Sequence, residues 1–109
     1  LAPHILGAIA VAAYSYMALI SFYEKDYKQS NRFLMKAEKV LRDHLKRYWK
    51  GILCRVKSEI CNNLNVEDDI SEIYKTINME EHDKYINEAY NIFKDVGTTY
   101  EMKYIKNLS

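Results

Sequence analysis

Residues 1–23, LAPHILGAIAVAAYSYMALISFY, form the longest apolar stretch of the chain and contain no Asp, Glu, Lys or Arg. About 20 apolar residues in a helix cover the roughly 30 Å hydrocarbon core of a bilayer. The mean hydropathy of residues 5–23 is ~1.7, near the level of known membrane spans. The stretch therefore predicts one long helix that lies either in a membrane or within a protein.

The composition of this stretch favours contact with protein. It is rich in Ala and carries the hydroxyls of Tyr14, Ser15, Tyr16 and Ser21. On a helix its side chains divide into a bulky stripe, formed by Leu6, Ile9, Ala13, Tyr16, Ile20 and Tyr23. A smaller and more polar stripe is formed by Gly7, Val11, Tyr14, Ala18 and Ser21. Such grading is typical of a helix packed between two others, although a membrane span accommodates it as well.

The turn chemistry of the whole chain predicts an all-α fold. Only three Gly and one Pro occur among 109 residues, which leaves little material for the turns of a sheet. The length suits one domain, residues 1–109, with a single modest core. We therefore expect four to five helices in antiparallel succession, arranged as helical hairpins or as a bundle.

The first half of the chain predicts two helices. Pro3 is tolerated in a first turn, so helix one is expected from there to about Glu24. Asp26 is a suitable N-cap for a second helix. From Tyr27 to Ile60 apolar residues recur with a period near 3.6, which predicts one long helix that Gly51 kinks or divides.

The second half predicts two or three shorter helices. Asn65 followed by Asp68 resembles a capped start, and Ile70, Ile73, Tyr74 and Ile77 would form the apolar face of a third helix. Asn78 with Glu81 predicts the start of a fourth helix, which would end at Gly97. Thr98 with Glu101 forms a capping box for a last helix.

The first predicted hairpin resembles a tetratricopeptide repeat, a helix-turn-helix unit of 34 residues. The resemblance covers residues 11–42 and rests on Tyr14, Met17, Ala18, Asp26, Tyr27, Ser30, Leu34, Ala37 and Val40. It implies stacked helical hairpins that bind partners in grooves. The pattern departs from the family at two positions, because Lys25 stands where a Gly precedes the turn and Arg42 stands where a Pro closes the unit.

A basic helical face is the candidate partner-binding site. Residues 36–57 carry eight basic and two acidic residues, whereas residues 67–88 are mostly acidic. Spacings of three and four place Lys39, Arg42, Lys46 and Lys50 on one face, with Arg47 and Trp49 beside it. Such a face could bind an acidic protein segment, RNA or anionic lipid. The alternative is a solvated surface that pairs with the acidic half of the same chain.

Catalysis and metal binding find little support in the sequence. Cys54 and Cys61 are seven residues apart on one helix, about 10 Å, which is too far for a disulfide. Reduced, buried thiols are therefore expected, and with them an intracellular, reducing compartment. A metal site with His44 as third ligand is the alternative, but no CxxC spacing supports it. We find no phosphate loop, nucleophile elbow or paired catalytic groups, and we predict neither enzymatic activity nor a cofactor.

Two functions from different classes follow. In the first, a cytoplasmic, non-catalytic helical module binds an acidic or extended segment of a protein partner, and oligomers are compatible with it. In the second, residues 1–23 span an organellar membrane and anchor a subunit of a larger complex. The Ala- and Tyr-rich composition of that stretch leads us to favour the first.

Overall fold

The computed structural model describes residues 3–43 and 47–96; for residues 3–6, 8, 43, 47, 95 and 96 it describes the backbone alone. Four α-helices occupy most of these residues: α1 (Pro3–Tyr23), α2 (Tyr27–Asp43), α3 (Arg47–Asn62) and α4 (His82–Val96). Short 3-10 helices at Ile73–Lys75 and Met79–Glu81 lie between α3 and α4. No strand occurs in the described ranges, and the predicted all-α class is confirmed.

Helices that follow one another in the chain run antiparallel. In the first pair, Ser30 Oγ donates a 2.8 Å hydrogen bond to the Ala18 carbonyl, and the rings of Tyr14 and Phe33 stack 6.2 Å apart. In the second pair, Tyr48 packs edge-on against Phe93. The predicted antiparallel succession is therefore present throughout the described helices.

The turn between α1 and α2 is built from local hydrogen bonds. Lys25 has a φ of 63°, in the left-handed region. Its N–H donates to the Phe22 carbonyl and the N–H of Asp26 donates to the Ser21 carbonyl, which is the Schellman arrangement at a helix end. Asp26 then accepts the N–H of Gln29 through Oδ1, as expected of the predicted N-cap.

The prediction of one long second helix is wrong. Glu38 and Lys57 form an ion pair between α2 and α3, yet 19 residues of straight helix would separate them by about 28 Å. Tyr27–Asp43 and Arg47–Asn62 are therefore two separate helices. Gly51 lies inside α3 rather than at the division, and α4 approaches it closely.

The predicted third α-helix is also wrong. Asn65 Oδ1 accepts the N–H of Glu67, and Asp69 Oδ1 accepts both the N–H and the hydroxyl of Ser71. These local turns compete with helix formation. The segment nevertheless adds apolar side chains to the core, since Ile70, Ile73 and Ile77 are buried.

The fourth predicted helix is confirmed as α4. Asn78 is a cap as predicted, but it caps the short Met79–Glu81 turn, where its side chain accepts the N–H of Glu80. Gly97 and the predicted last helix lie outside the described residues.

The core lies where α3 packs against both α1 and α4. Its largest fully buried side chains include Phe93, Leu34, Ile52 and Ile60. α1 contributes small residues to this core: Val11, Ser15 and Ala18 have no exposed surface. The smaller of its two predicted stripes is thus the buried one, and the bulky stripe faces outward.

Candidate partner-binding surface

The exposed side of α2 presents a compact group of cations. Its opposite side buries Ser30, Asn31, Leu34 and Ala37. The exposed residues line a shallow depression of about 340 Å³ and are Arg32, Met35, Lys36, Lys39 and Arg42, called here the α2 basic stripe. Their spacing of three or four residues places them along one helix face.

Aromatic rings hold one cation of the stripe in place. Lys36 Nζ lies 5.7 Å from the ring centroids of both Tyr14 and Phe33. The stacked rings come from α1 and α2, so that the position of this ammonium group depends on the α1–α2 hairpin. Cation–π contacts of this kind are worth about 0.5–1 kcal/mol at exposed sites.

The other cations of the stripe differ in their surroundings from five of the described lysines, which have an acidic partner. Among the residues that the structure describes, Arg32, Lys39 and Arg42 form no ion pair. By contrast, five described lysines outside the stripe pair with carboxylates, in the pairs Lys25–Asp68, Lys50–Glu88, Lys57–Glu38, Lys75–Glu72 and Lys84–Glu81. The described carboxylates of the acidic half therefore leave the α2 basic stripe uncompensated.

The residues predicted for the site are divided by the fold. Lys39 and Arg42 lie in the α2 basic stripe, and Arg42 also borders the neighbouring groove between α2 and α3. Lys46 and the side chain of Arg47 lie outside the described residues. The predicted face assumed a single helix, whereas its residues are divided between α2 and α3.

Lys50 and Trp49 belong to α3 and have other surroundings. Lys50 Nζ lies 2.5 Å from Glu88 Oε1, beside an open groove of about 630 Å³ between α3 and α4. Trp49 is half-buried against the core and meets Tyr48 edge-on, with ring centroids 5.0 Å apart. Lys50 therefore fits the alternative in which basic residues pair with the acidic half.

Sequence reasoning missed three members of the stripe: Arg32, Met35 and Lys36. The spacing of four between Arg32 and Lys36 and of three between Lys36 and Lys39 indicates the two cations, and Met35, three residues after Arg32 and four before Lys39, follows the same period. The signal was overlooked because the basic face was extended toward residues 46–50, along a helix that does not continue.

The two cysteines are buried and free. Burial is the main reason why the pKa of Cys54 rises to about 12, with the nearby Glu88 carboxylate adding to the effect. Burial likewise raises the pKa of Cys61 to about 11. Both thiols therefore stay protonated at neutral pH, the unreactive form of cysteine.

Neither a metal site nor a span is found in the described part of the chain. No three His, Cys, Asp or Glu side chains in it are grouped so that they could hold a metal ion. His44, the third ligand considered from the sequence, lies outside that part. None of the described helices combines the length and the apolar character that crossing a membrane requires.

No protein-family model, curated protein or solved structure shows significant similarity to this chain.

Proposed function

We propose that this chain is a non-catalytic interaction module that binds an acidic segment of a protein partner along the α2 basic stripe. The observation that carries the proposal is the set of cations without described acidic partners, Arg32, Lys39 and Arg42, around an exposed apolar side chain. A partner that supplies carboxylates there gains Coulomb energy and displaces no existing ion pair of these three cations.

Met35 gives the stripe an apolar centre. It is 53% exposed and lies between cations on the same face. A thioether adapts to partners of different shape, and covering the exposed half of a Met contributes about 1 kcal/mol. The segment that fits best therefore carries an apolar residue flanked by Asp or Glu.

The geometry of the α1–α2 hairpin supports the resemblance to a tetratricopeptide repeat. Lys25, which stands where the family has a Gly, adopts the left-handed backbone that glycine favours. Small residues meet where α1 and α2 approach, since Ala18 contacts Ser30 and both are fully buried. The four helices would then form two stacked hairpins that present α2 as an outer binding surface.

Charge reversal tests the proposed surface. A fluorescent Glu-rich peptide with a central Leu is titrated with wild type, with Lys39→Glu/Arg42→Glu and with Lys75→Glu/Lys84→Glu. Both variants change the net charge equally, but the second alters lysines in exposed pairs outside the stripe. We expect about tenfold weaker binding for the first variant, since each lost cation contributes up to about 1 kcal/mol. The second should bind within about twofold of wild type.

Other ligands are outcomes of the same experiment. Binding should weaken as salt rises, because exposed charges are screened. Equal weakening by both variants would show only an effect of net charge and would contradict the proposed surface. The proposal would also be contradicted if the protein did not bind the peptide but bound single-stranded RNA or anionic vesicles.

A further inference from the structure

Large apolar side chains lie exposed along α1, on the opposite side from its contact with α2. Ile9, Ile20 and Tyr23 keep 51%, 57% and 54% of their surface exposed. With Ala13, Tyr16 and Met17 they form a continuous face, called here the α1 apolar stripe. Burying these side chains would stabilise the fold more than burying the Ala, Ser and Gly residues that α1 turns inward. Their outward position leaves a contiguous apolar patch, of the kind that marks interaction sites.

The chemistry of this face differs from that of the α2 basic stripe. α1 contains no Asp, Glu, Lys or Arg. Its tyrosine hydroxyls already have partners on α3, since Tyr16 Oη contacts Arg55 and Tyr23 Oη donates to Glu59 at 2.9 Å. Covering the rings thus leaves no hydroxyl without a partner. The matching surface is apolar and uncharged, and the inference is independent of the acidic ligand proposed above.

We propose that the α1 apolar stripe binds a second copy of the same stripe, in an antiparallel arrangement about a two-fold axis. From Ile9 to Tyr23 the stripe is about 21 Å long, with its centre at Tyr16 and Met17. A two-fold axis at that centre places Ala13 opposite Ile20 of the partner copy and Ile9 opposite Tyr23. The small Ala13 then faces the larger Ile20, which favours close packing at the centre of the stripe. A parallel pair would instead oppose Ile20 to Ile20 and Ala13 to Ala13.

The exposed area is sufficient for a weak dimer. With about half of each large side chain exposed, one stripe presents on the order of 500 Å², so two copies bury about 1,000 Å². This area is at the lower limit of specific interfaces, where association is weak. α1 itself adds no charged side chain to the contact, and the ionised groups at its edge, Arg55 and Glu59, are held by Tyr16 and Tyr23. We therefore expect a reversible dimer with a micromolar dissociation constant.

Sedimentation equilibrium of the full chain tests the dimer. Wild type should pass from monomer to dimer as concentration rises through the micromolar range. Ile20→Glu should weaken the association at least about tenfold, because each dimer then buries two carboxylates without partners. Val66→Glu is the matched control, since Val66 is 84% exposed and lies outside α1; it should leave the dissociation constant unchanged. Circular dichroism confirms that both variants keep the helical fold.

Cysteine cross-linking tests the antiparallel register. Met17→Cys lies next to the proposed axis and should form a disulfide between copies under mild oxidation. Ile9→Cys should not, because antiparallel packing separates the two copies of position 9 by about 22 Å. The native cysteines are buried, so wild type under the same oxidation gives the background level of cross-linking.

Three results would overturn the proposal. One is a wild type that remains monomeric at every concentration reached. Another is efficient cross-linking through position 9, which indicates a parallel pair. The third is binding to uncharged lipid vesicles that Ile20→Glu abolishes while the dimer is absent, because the stripe would then contact lipid.

Discussion

Gly51 sets the distance between α3 and α4. A Cβ at this position would lie 3.0 Å from Ile92 Cγ2 and 3.0 Å from Phe93 Cζ, closer than side-chain atoms normally approach. Both neighbours are buried, with 3% and 0% of their surface exposed, so neither moves away easily. The glycine therefore avoids a tight contact with two buried side chains, even though it weakens the helix that contains it.

We expect Gly51→Ala to destabilise the protein. Overpacking lowers the free energy of unfolding by about 1–3 kcal/mol, and the better helix propensity of Ala offsets about 1 kcal/mol of this loss. The free energy of unfolding, from urea denaturation, should fall by about 1 kcal/mol. The control is to make the same substitution in a Phe93→Leu background, where the smaller side chain leaves room for the new methyl group. If Gly51→Ala costs as much in that background as in wild type, the contact with Phe93 does not limit the substitution.

Tyr27 links the start of α2 to the turn after α3. Its hydroxyl donates a 2.5 Å hydrogen bond to Asp68 Oδ2, and that bond is the main reason why the pKa of Tyr27 rises to about 12. In the unfolded chain the hydroxyl has its ordinary pKa near 10. Between pH 10 and 12 the folded state thus holds a proton that the unfolded state has lost.

The contribution of Tyr27 to stability should therefore depend on pH. It is fully present below pH 10 and is lost as the pH rises toward 12. At pH 8, Tyr27→Phe should lower the free energy of unfolding by about 1 kcal/mol. At pH 11 the difference between wild type and variant should be smaller, as measured by urea denaturation at both values. A difference that stays constant or grows with pH would contradict the role given to this hydrogen bond.

At the scale of the helices, sequence periodicity located the elements but not the way in which they meet. The ends of α1, the cap at Asp26 and the existence of α4 depend on neighbours in sequence, and all were predicted. The separation of α2 from α3 was not predicted, because both helices continue the same 3.6-residue period. The segment after Asn65 was misread because side chains that cap helices also form isolated turns.

The candidate site was predicted in part for the same reason. Lys39 and Arg42 follow from local spacing on α2. The pairing of Lys50 with Glu88 depends on the packing of α4 on α3. Local spacing does not predict it, because the two residues are 38 positions apart. Likewise, nothing in the pattern of α1 decides which of its two stripes is buried. Tertiary contacts settle these questions, and a single helix contains no information about them.

The ion pair between Glu38 and Lys57 is the clearest link between α2 and α3. The side chain of Lys57 is only 11% exposed, and its ammonium also lies 5.4 Å from the Tyr85 ring centroid. Glu38→Ala leaves this charge largely buried without its carboxylate. We expect a loss of about 2 kcal/mol in the free energy of unfolding, between the values for exposed and fully buried pairs.

A second variant separates the charge from the packing. Glu38→Ala/Lys57→Met removes both partners and keeps an apolar chain of similar length, so it should recover at least half of the stability that Glu38→Ala loses. Thermal and urea denaturation of the three proteins provide the comparison. Equal stability of wild type and Glu38→Ala would show that the pair does not hold α2 against α3.

At the scale of the whole molecule, two faces remain uncovered among the described residues, and their chemistry is opposite. The α2 basic stripe is cationic with one apolar side chain, and the α1 apolar stripe has no charge. Both surfaces depend on the α1–α2 hairpin. The side of α1 that carries small residues packs against α2, so its bulky side faces outward. The two proposed contacts, with an acidic partner and with a second copy, would therefore use separate surfaces of one hairpin.

The most direct test is an NMR titration of the ¹⁵N-labelled full chain with the acidic peptide. We expect saturable shifts at the amides of Arg32, Met35, Lys39 and Arg42, and unchanged signals for Ile9 and Ile20. Shifts should shrink when salt is added, because the contact is electrostatic. Shifts centred on Lys50 and α4, or no saturable shift on α2, would contradict the assignment of the α2 basic stripe as the binding surface.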